Sequence, residues 1–173
     1  NYTFARPSVA YKSDGTQVSA NVPRFEDGKF GKAVLVEEGT TNLIPVSAQD
    51  FQESPWFPYE GSSVTVTGGQ LDPFGNSNAY RIKTSGGTSI LKYYGVFGTG
   101  SANTSYAASV WTKCLAGAVQ VLSNTGGDAV VTPSDGWVRV KLCDTPEHSA
   151  QIQLQFRTLN AADSLDFVVY RPQ

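Results

Sequence analysis

The sequence predicts an all-β fold, an antiparallel β-sandwich in a single domain, on three observations. From Asn78 onward eight short segments follow one another: AYRIKT, SILKYYGV, SYAASVWTK, AVQVLS, DAVVTP, WVRVKLC, AQIQLQFRT and LDFVVYR. Glycine, asparagine, aspartate or proline separates them, the punctuation of strands and tight turns. No stretch keeps a 3.6-residue period long enough for a surface helix, and no strand–helix rhythm of the parallel kind occurs. Finally, 173 residues with 17 glycines and 9 prolines against 40% hydrophobic residues suit one core divided by many turns.

Taken in chain order, residues 1–45 read as an extended N-terminal arm wrapping the sandwich. Its short apolar pieces are cut by DG and EG turn signals, and one strand is expected over Ala33 to Glu37. SPWFPYEGSSVTVTGG then places prolines around Trp56 ahead of a strand carrying Val64 and Val66. Proline beside an extended aromatic run marks the edge of a sheet. In the later segments the period of two assigns faces. Ile152, Leu154 and Phe156 oppose Gln151, Gln153, Gln155 and Arg157, while Val138, Val140 and Leu142 oppose Arg139 and Lys141. Tyr106, Ala108, Val110 and Thr112 oppose Ala107, Ser109, Trp111 and Lys113; if the first set packs inward, Trp111 faces out.

Charge narrows the partners. A net charge of −2 with no basic stripe leaves nothing to condense on phosphates, so nucleic acid is not expected. No run approaches the length of a membrane span, and no charged segment precedes an apolar one as in a signal peptide, so no membrane partner is expected either. The chain starts at Asn1, which suggests excision from a larger protein. Cys114 and Cys143 can form one bridge if their strands are adjacent, or remain two thiols.

Catalytic motifs are sparse. The single histidine, His148, stands in a turn without metal-ligand spacing around it. Glu37 and Glu38 are adjacent and would diverge on a strand, and Asp14, Asp27, Asp72, Asp128, Asp135 and Asp144 stand in turn-like contexts, so a facing carboxylate pair of the glycosidase kind is not visible. The protein is read as not an enzyme, with no catalytic residues.

The row Gln151, Gln153, Gln155 and Arg157 suggests binding. Amides and a guanidinium on one face, spaced roughly 6.6 to 7 Å apart, donate and accept in fixed directions, as a hydroxyl-rich chain requires. The bland alternative is a solubilising surface. Polysaccharide recognition also needs an aromatic plane to cover a sugar's apolar face. Trp56, Trp111, Trp137, Tyr80, Tyr93, Tyr94, Phe97 and Tyr170 are the available rings, with Trp111 the first choice for stacking and Trp137 expected as a packed corner. Tyr93 and Tyr94 must diverge, one inward and one outward. Arg81 shares an outer face with Lys83 and can join the polar surface. Asp50 and Asp166 are candidate oxygen ligands for a structural calcium if the ends of the sandwich pair.

The stretch NVPRFEDGKFGKAVLVEEGTTNLIPVSAQDF followed by Trp56 resembles the N-terminal region of jelly-roll domains in phage tail and tail-fibre structural proteins. TSYAASVWTKCLAG, DGWVRVKL and LDFVVYRP are similar to galactose-binding-like carbohydrate-binding modules attached to polysaccharide-degrading enzymes. The resemblance implies a jelly roll without a catalytic centre, often with a calcium away from the sugar, for which Asp50 and Asp166 are the matching acids. Gln52 stands beside Phe51 where such modules usually carry glutamate. The expected function is non-catalytic polysaccharide binding through an open groove of Trp111, Gln151, Gln153, Gln155, Arg157 and Arg81, in an extracellular or virion-associated protein. The first alternative is an architectural or oligomerising domain of a phage tail or fibre, and the second is a polysaccharide-active enzyme.

Overall fold

A computed structural model describes residues 10–12, 16–28, 31–34, 44–123, 128–145, 148 and 150–173. The chain divides into two compact units, Asn1–Thr41 and Asn42–Gln173. In the first, β1 (Ala10–Tyr11) pairs antiparallel with β2 (Gln17–Val18), and β3 (Phe25–Gly28) with β4 (Gly31–Val34). The strand expected over 33–37 is thus β4 as far as Val34; residues 35–37, with Glu37, and Glu38 lie outside the described residues.

The second unit carries β5 (Trp56–Pro58), β6 (Ser62–Gln70), β7 (Ala79–Gly86), β8 (Leu91–Gly100), β9 (Tyr106–Ala116), β10 (Val119–Ser123), β11 (Asp128–Val131), β12 (Val138–Asp144), β13 (Ala150–Arg157) and β14 (Leu165–Tyr170). Short 3-10 turns stand at Val46–Gln49 and Pro133–Asp135. A front sheet of five strands has the order β11-β10-β13-β8-β5 and a back sheet of five the order β12-β9-β14-β7-β6. Every ladder in both is antiparallel, and the chain crosses between the sheets after β5, β7, β8, β9, β11, β12 and β13. The unit is an all-β jelly-roll sandwich. Each of the eight segments read from the sequence forms one of the strands β7 to β14.

The period of two holds on both sheets. Ile82, Val110, Val121, Phe156, Phe167 and Val169 are fully buried between them, and Val140, Leu142 and Leu154 nearly so. Trp56 lies on the front edge strand, as its prolines require, but its ring turns inward. There it stacks on Phe51 at 4.4 Å between centroids, meets Phe97 edge-on at 5.4 Å, and donates its Nε1–H to the Ala48 carbonyl at 2.7 Å. Gly95 lies beneath the ring: a Cβ there would come within 2.8 Å of Trp56 and 2.7 Å of Phe97. Phe51 and Trp56 are therefore core residues. The Tyr93 hydroxyl donates to the Phe51 carbonyl, and burial, with nearby Asp50, pushes its phenol far up.

Lys92 is fully buried on β8. Its ammonium donates to the carbonyls of Gly86 and Ala161, each at 2.8 Å, and to Gly87 at 3.4 Å, tying the β7–β8 turn to the β13–β14 turn. The cysteines are free: Cys114 is buried on β9 and Cys143 exposed on β12, where the register sets it opposite Ala107.

The acids divide. Asp72 is buried and closes its loop, accepting from the Phe74 and Asn76 N–H groups at 2.9 and 3.0 Å. Asp135 accepts from the Thr132 N–H at 2.7 Å. Asp128 departs from the turn expectation, standing on β11 and accepting from Gln120 Nε2 at 2.8 Å. Asp14 and the side chains of Asp27 and Asp144 lie outside the described residues.

Candidate binding face

Strand β13 is the middle strand of the front sheet, and its outward side chains form one connected ladder. Gln153 Nε2 donates to Gln151 Oε1 at 2.8 Å, and Gln155 Nε2 donates to Gln153 Oε1 at 2.6 Å. Arg157 closes the ladder, its Nε and Nη2 donating to Gln155 Oε1 at 3.0 and 2.6 Å. The reason is local: alternate residues of a strand share a face, and a glutamine side chain reaches its neighbour two positions on. Gln155 is buried, Gln151 exposed, and Gln153 and Arg157 half-buried, so the row is held rather than waving in solvent.

The strand register decides which rings share that wall. Gln155 stands opposite Tyr94 on β8, Tyr94 opposite Phe57 on β5, and on the other side Gln155 opposite Leu122 and Leu122 opposite Asp128. One line therefore crosses all five strands, about 19 Å at roughly 4.8 Å per step. At its β5 end Phe57 and Tyr59 lie 5.9 and 6.3 Å from the Tyr94 ring and are 41% and 37% exposed. Tyr93 and Tyr94 diverge as expected, one buried in the core and the other on this face. Phe57 and Tyr59 escaped the sequence reading because the prolines beside them signal an edge without saying which face each ring takes.

Trp111 and Arg81 require a correction: neither stands with the glutamine row. Trp111 does point away from the core, with Val110 and Thr112 fully buried beside it, but β9 belongs to the back sheet. The two outer faces of a sandwich look in opposite directions, so one groove cannot include both sets. Trp111 instead meets Phe74 edge-on at 5.8 Å and packs, with Trp137, on a small outer cluster of Ala79, Val168 and Tyr170. Arg81 lies on β7 of the same back sheet, its Nε and Nη2 on the two oxygens of Asp166 at 2.8 and 2.6 Å.

That pairing also bears on calcium. Both Asp166 oxygens are engaged by Arg81, and Lys83 Nζ stands 3.6 Å from one of them. Asp50 lies elsewhere, after the first 3-10 turn. Its Oδ1 accepts from the Gln52 N–H at 2.9 Å, and it lines a polar cleft of about 410 Å³ with Gln49, Asn78, Tyr80, Tyr170 and Arg171, to which Asp166 does not contribute. Among the described residues no three His, Cys, Asp or Glu side chains gather to hold a metal. Asp50 and Asp166 do not fit one calcium ion, because one carboxylate already carries a guanidinium and an ammonium.

The Arg81 hydrogen bonds, then the Arg81 and Lys83 charges, hold the Asp166 carboxyl below the usual carboxylate range against its desolvation. A depressed folded-state pKa gives stability that is complete above the unfolded value and lost as pH falls through the folded one. Asp166→Asn is expected to cost about 1 kcal/mol or less at neutral pH, since the pair is partly solvent-screened. The gap to wild type should close as urea midpoints are followed from about pH 5 to about pH 2. A gap constant across that range would refute the ion pair as its source.

No protein-family model and no curated protein matches the chain. Among solved structures it is similar to the CBM22-1 xylan-binding domain of Paenibacillus barcinonensis Xyn10C, at 17% identity and TM-score 0.48, over 68% of this chain and 83% of that one. It is also similar to the C-terminal family 22 carbohydrate-binding module of Clostridium thermocellum Xyn10B, at 13% identity and TM-score 0.44, over 69% and 83% of the two chains. A structure described under CBM4 structure and function matches at 16% identity and TM-score 0.41, over 68% and 86%.

Proposed function

We propose that the sandwich is a non-catalytic polysaccharide-binding domain whose ligand lies across the outer face of the front sheet. The supporting observation is the hydrogen-bonded ladder Gln151, Gln153, Gln155 and Arg157 beside the Tyr94, Phe57 and Tyr59 rings. The ladder holds polar groups at fixed spacing, and the rings offer flat apolar area at low entropic cost, the two things a sugar with one polar and one apolar side requires. An open face leaves many of these groups wet, which fits weak to moderate affinity.

Affinity electrophoresis through gels of plant, bacterial and algal polysaccharides tests this. Tyr94→Ala and Gln153→Ala are each expected to weaken retention about five- to twentyfold, a loss of about 1 to 2 kcal/mol. Trp111→Ala, on the opposite sheet, should leave it unchanged. Retention lost with Trp111→Ala but kept with Tyr94→Ala would move the site to the back sheet, and no retention by any polysaccharide would end the proposal. The architectural reading draws on the same face, where Val130, on the edge strand two strands from the polar row, is 46% exposed. Sedimentation that shows a stable oligomer dissolved by Val130→Asp would favour it.

A further inference from the structure

Strand pairing gathers cations on the outer face of the back sheet, although no single segment of the chain is basic. Lys113 on β9 stands opposite Val168 on β14; Val168 stands opposite Arg81, and Asp166 opposite Lys83, on β7. Arg139 and Lys141 extend the face to the edge strand β12, opposite Trp111 and Ser109. Five of the eight lysines and arginines of Asn42–Gln173 thus share one wall of a chain whose net charge is −2. Among the described side chains, Asp166 is the single carboxylate these strands turn outward, and Arg81 and Lys83 share it. Arg139 donates to neutral acceptors, Ser109 Oγ at 3.2 Å and Gln173 Oε1 at 2.7 Å. Lys113 and Lys141 have no hydrogen-bond or ion-pair partner among the described residues. Lys83, Arg139 and Lys141 are exposed, and Lys113 and Arg81 half-buried.

We propose that this wall is a second binding face, for an anionic polysaccharide. It is independent of the front-sheet site on the opposite side of the sandwich. Charge carries it rather than the Trp111 ring, which is engaged by Phe74 and the cluster beneath. Dimensions select the partner. Four interstrand steps by about 20 Å of strand give roughly 400 Å², half of the ~800 Å² that each side of a stable protein complex buries, so a folded acidic protein finds too little area. Cations two residues apart on β7 and on β12 are about 7 Å apart, and the two strands are about 14 Å apart. A chain charged once per sugar matches that spacing. A nucleic-acid duplex, with one charge per ~1.7 Å, does not, and its field also meets the net negative charge of the protein. Beside the cations, Thr65 and Thr67 on β6 stand opposite Lys83 and Arg81 and expose hydroxyls that can donate to and accept from those of a sugar.

The test is titration calorimetry of the full chain at about 50 mM and about 500 mM salt. Polygalacturonate and alginate are each compared with their carboxyl-reduced forms and dextran sulfate with dextran, while a thymidine oligonucleotide and phosphatidylserine vesicles stand for other anionic surfaces. A uronate or sulfated chain is expected to bind about tenfold tighter than its uncharged form at the lower salt, with that preference gone at the higher. Lys113→Gln and Lys141→Gln should each weaken the preference about threefold, and together about tenfold. Thr67→Glu should weaken it, and Thr67→Lys, which lengthens the row, should strengthen it. Urea midpoints check that the variants keep the fold. Tyr94→Ala and Arg157→Gln, on the front sheet, should leave the preference unchanged. Loss with these front-sheet variants but not with the lysine variants overturns the inference, as does equal binding of the uncharged chains or of the oligonucleotide or vesicles. Absence of any charge preference at the lower salt does the same. The front-face reading is judged separately, by retention of neutral β-glucan, which the lysine variants should not alter.

Discussion

Trp56→Ala is expected to destabilise the sandwich by about 4 kcal/mol, within the range for removing a large aromatic from a core. The site has little capacity to collapse. The ring is sandwiched by Phe51 and by Tyr93, whose centroid is 5.9 Å away, and capped edge-on by Phe97. Its loss also strips the Ala48 carbonyl of the donor that fixes the first 3-10 turn. Against a total stability of about 5 to 15 kcal/mol, such a change consumes a large share. Two further variants separate the causes. Trp56→Phe keeps most of the ring and removes the N–H, for an expected cost of about 1 to 2 kcal/mol. Gly95→Ala instead drives a methyl into the ring from below, and the 2.8 Å approach predicts about 1 to 3 kcal/mol from overpacking. Urea midpoints at constant m-value are the measurement. A Trp56→Ala protein within about 1 kcal/mol of wild type would mean that the indole is not in the core.

Lys92→Met should cost about 2 to 3 kcal/mol. Methionine keeps the length and apolar stem of the side chain and deletes the ammonium, so the carbonyls of Gly86, Gly87 and Ala161 lose their common donor. A competing effect has the opposite sign, because burying an ammonium is itself costly and the substitution removes that cost. The carbonyls should win here, since the ammonium has three acceptors, while the other bonds between these turns, from the Thr158 N–H and Oγ1 to the Ile90 carbonyl at 2.9 and 3.2 Å, reach none of them. Hydrogen exchange provides the second readout: amides around residues 86–90 and 159–163 should lose protection together, since Lys92 bonds to both turns. A Met variant as stable as wild type would show that desolvation outweighs the bonds.

These cases show where sequence and structure part. The alternation in AQIQLQFRT was enough to place Ile152, Leu154 and Phe156 inward and the glutamines and Arg157 outward, because a strand has only two faces. The same rule separated Tyr93 from Tyr94 and turned Trp111 away from Val110 and Thr112. It could not say that β13 and β9 lie in different sheets. Nothing in either segment encodes its partner strand, and the error in grouping Trp111 and Arg81 with the glutamines follows from that alone. Lys92 was illegible for a related reason. Its acceptors are main-chain carbonyls, which every residue possesses, and Ala161 lies 69 positions along the chain. Asp166 was read as a metal ligand because an acid in a closing strand suits one; strand pairing instead puts Arg81 beside it.

The sequence alone determined the strand count after residue 78, the packing sides of β12 and β13, and the continuous row of amides, since all three depend on local period and turn chemistry. The tertiary structure decided which strands are neighbours, and through the register β5-β8-β13 it chose Tyr94, Phe57 and Tyr59 as the rings beside the row. Pairing joins residues distant in sequence through backbone groups that are alike at nearly every position, so only the folded chain contains that choice.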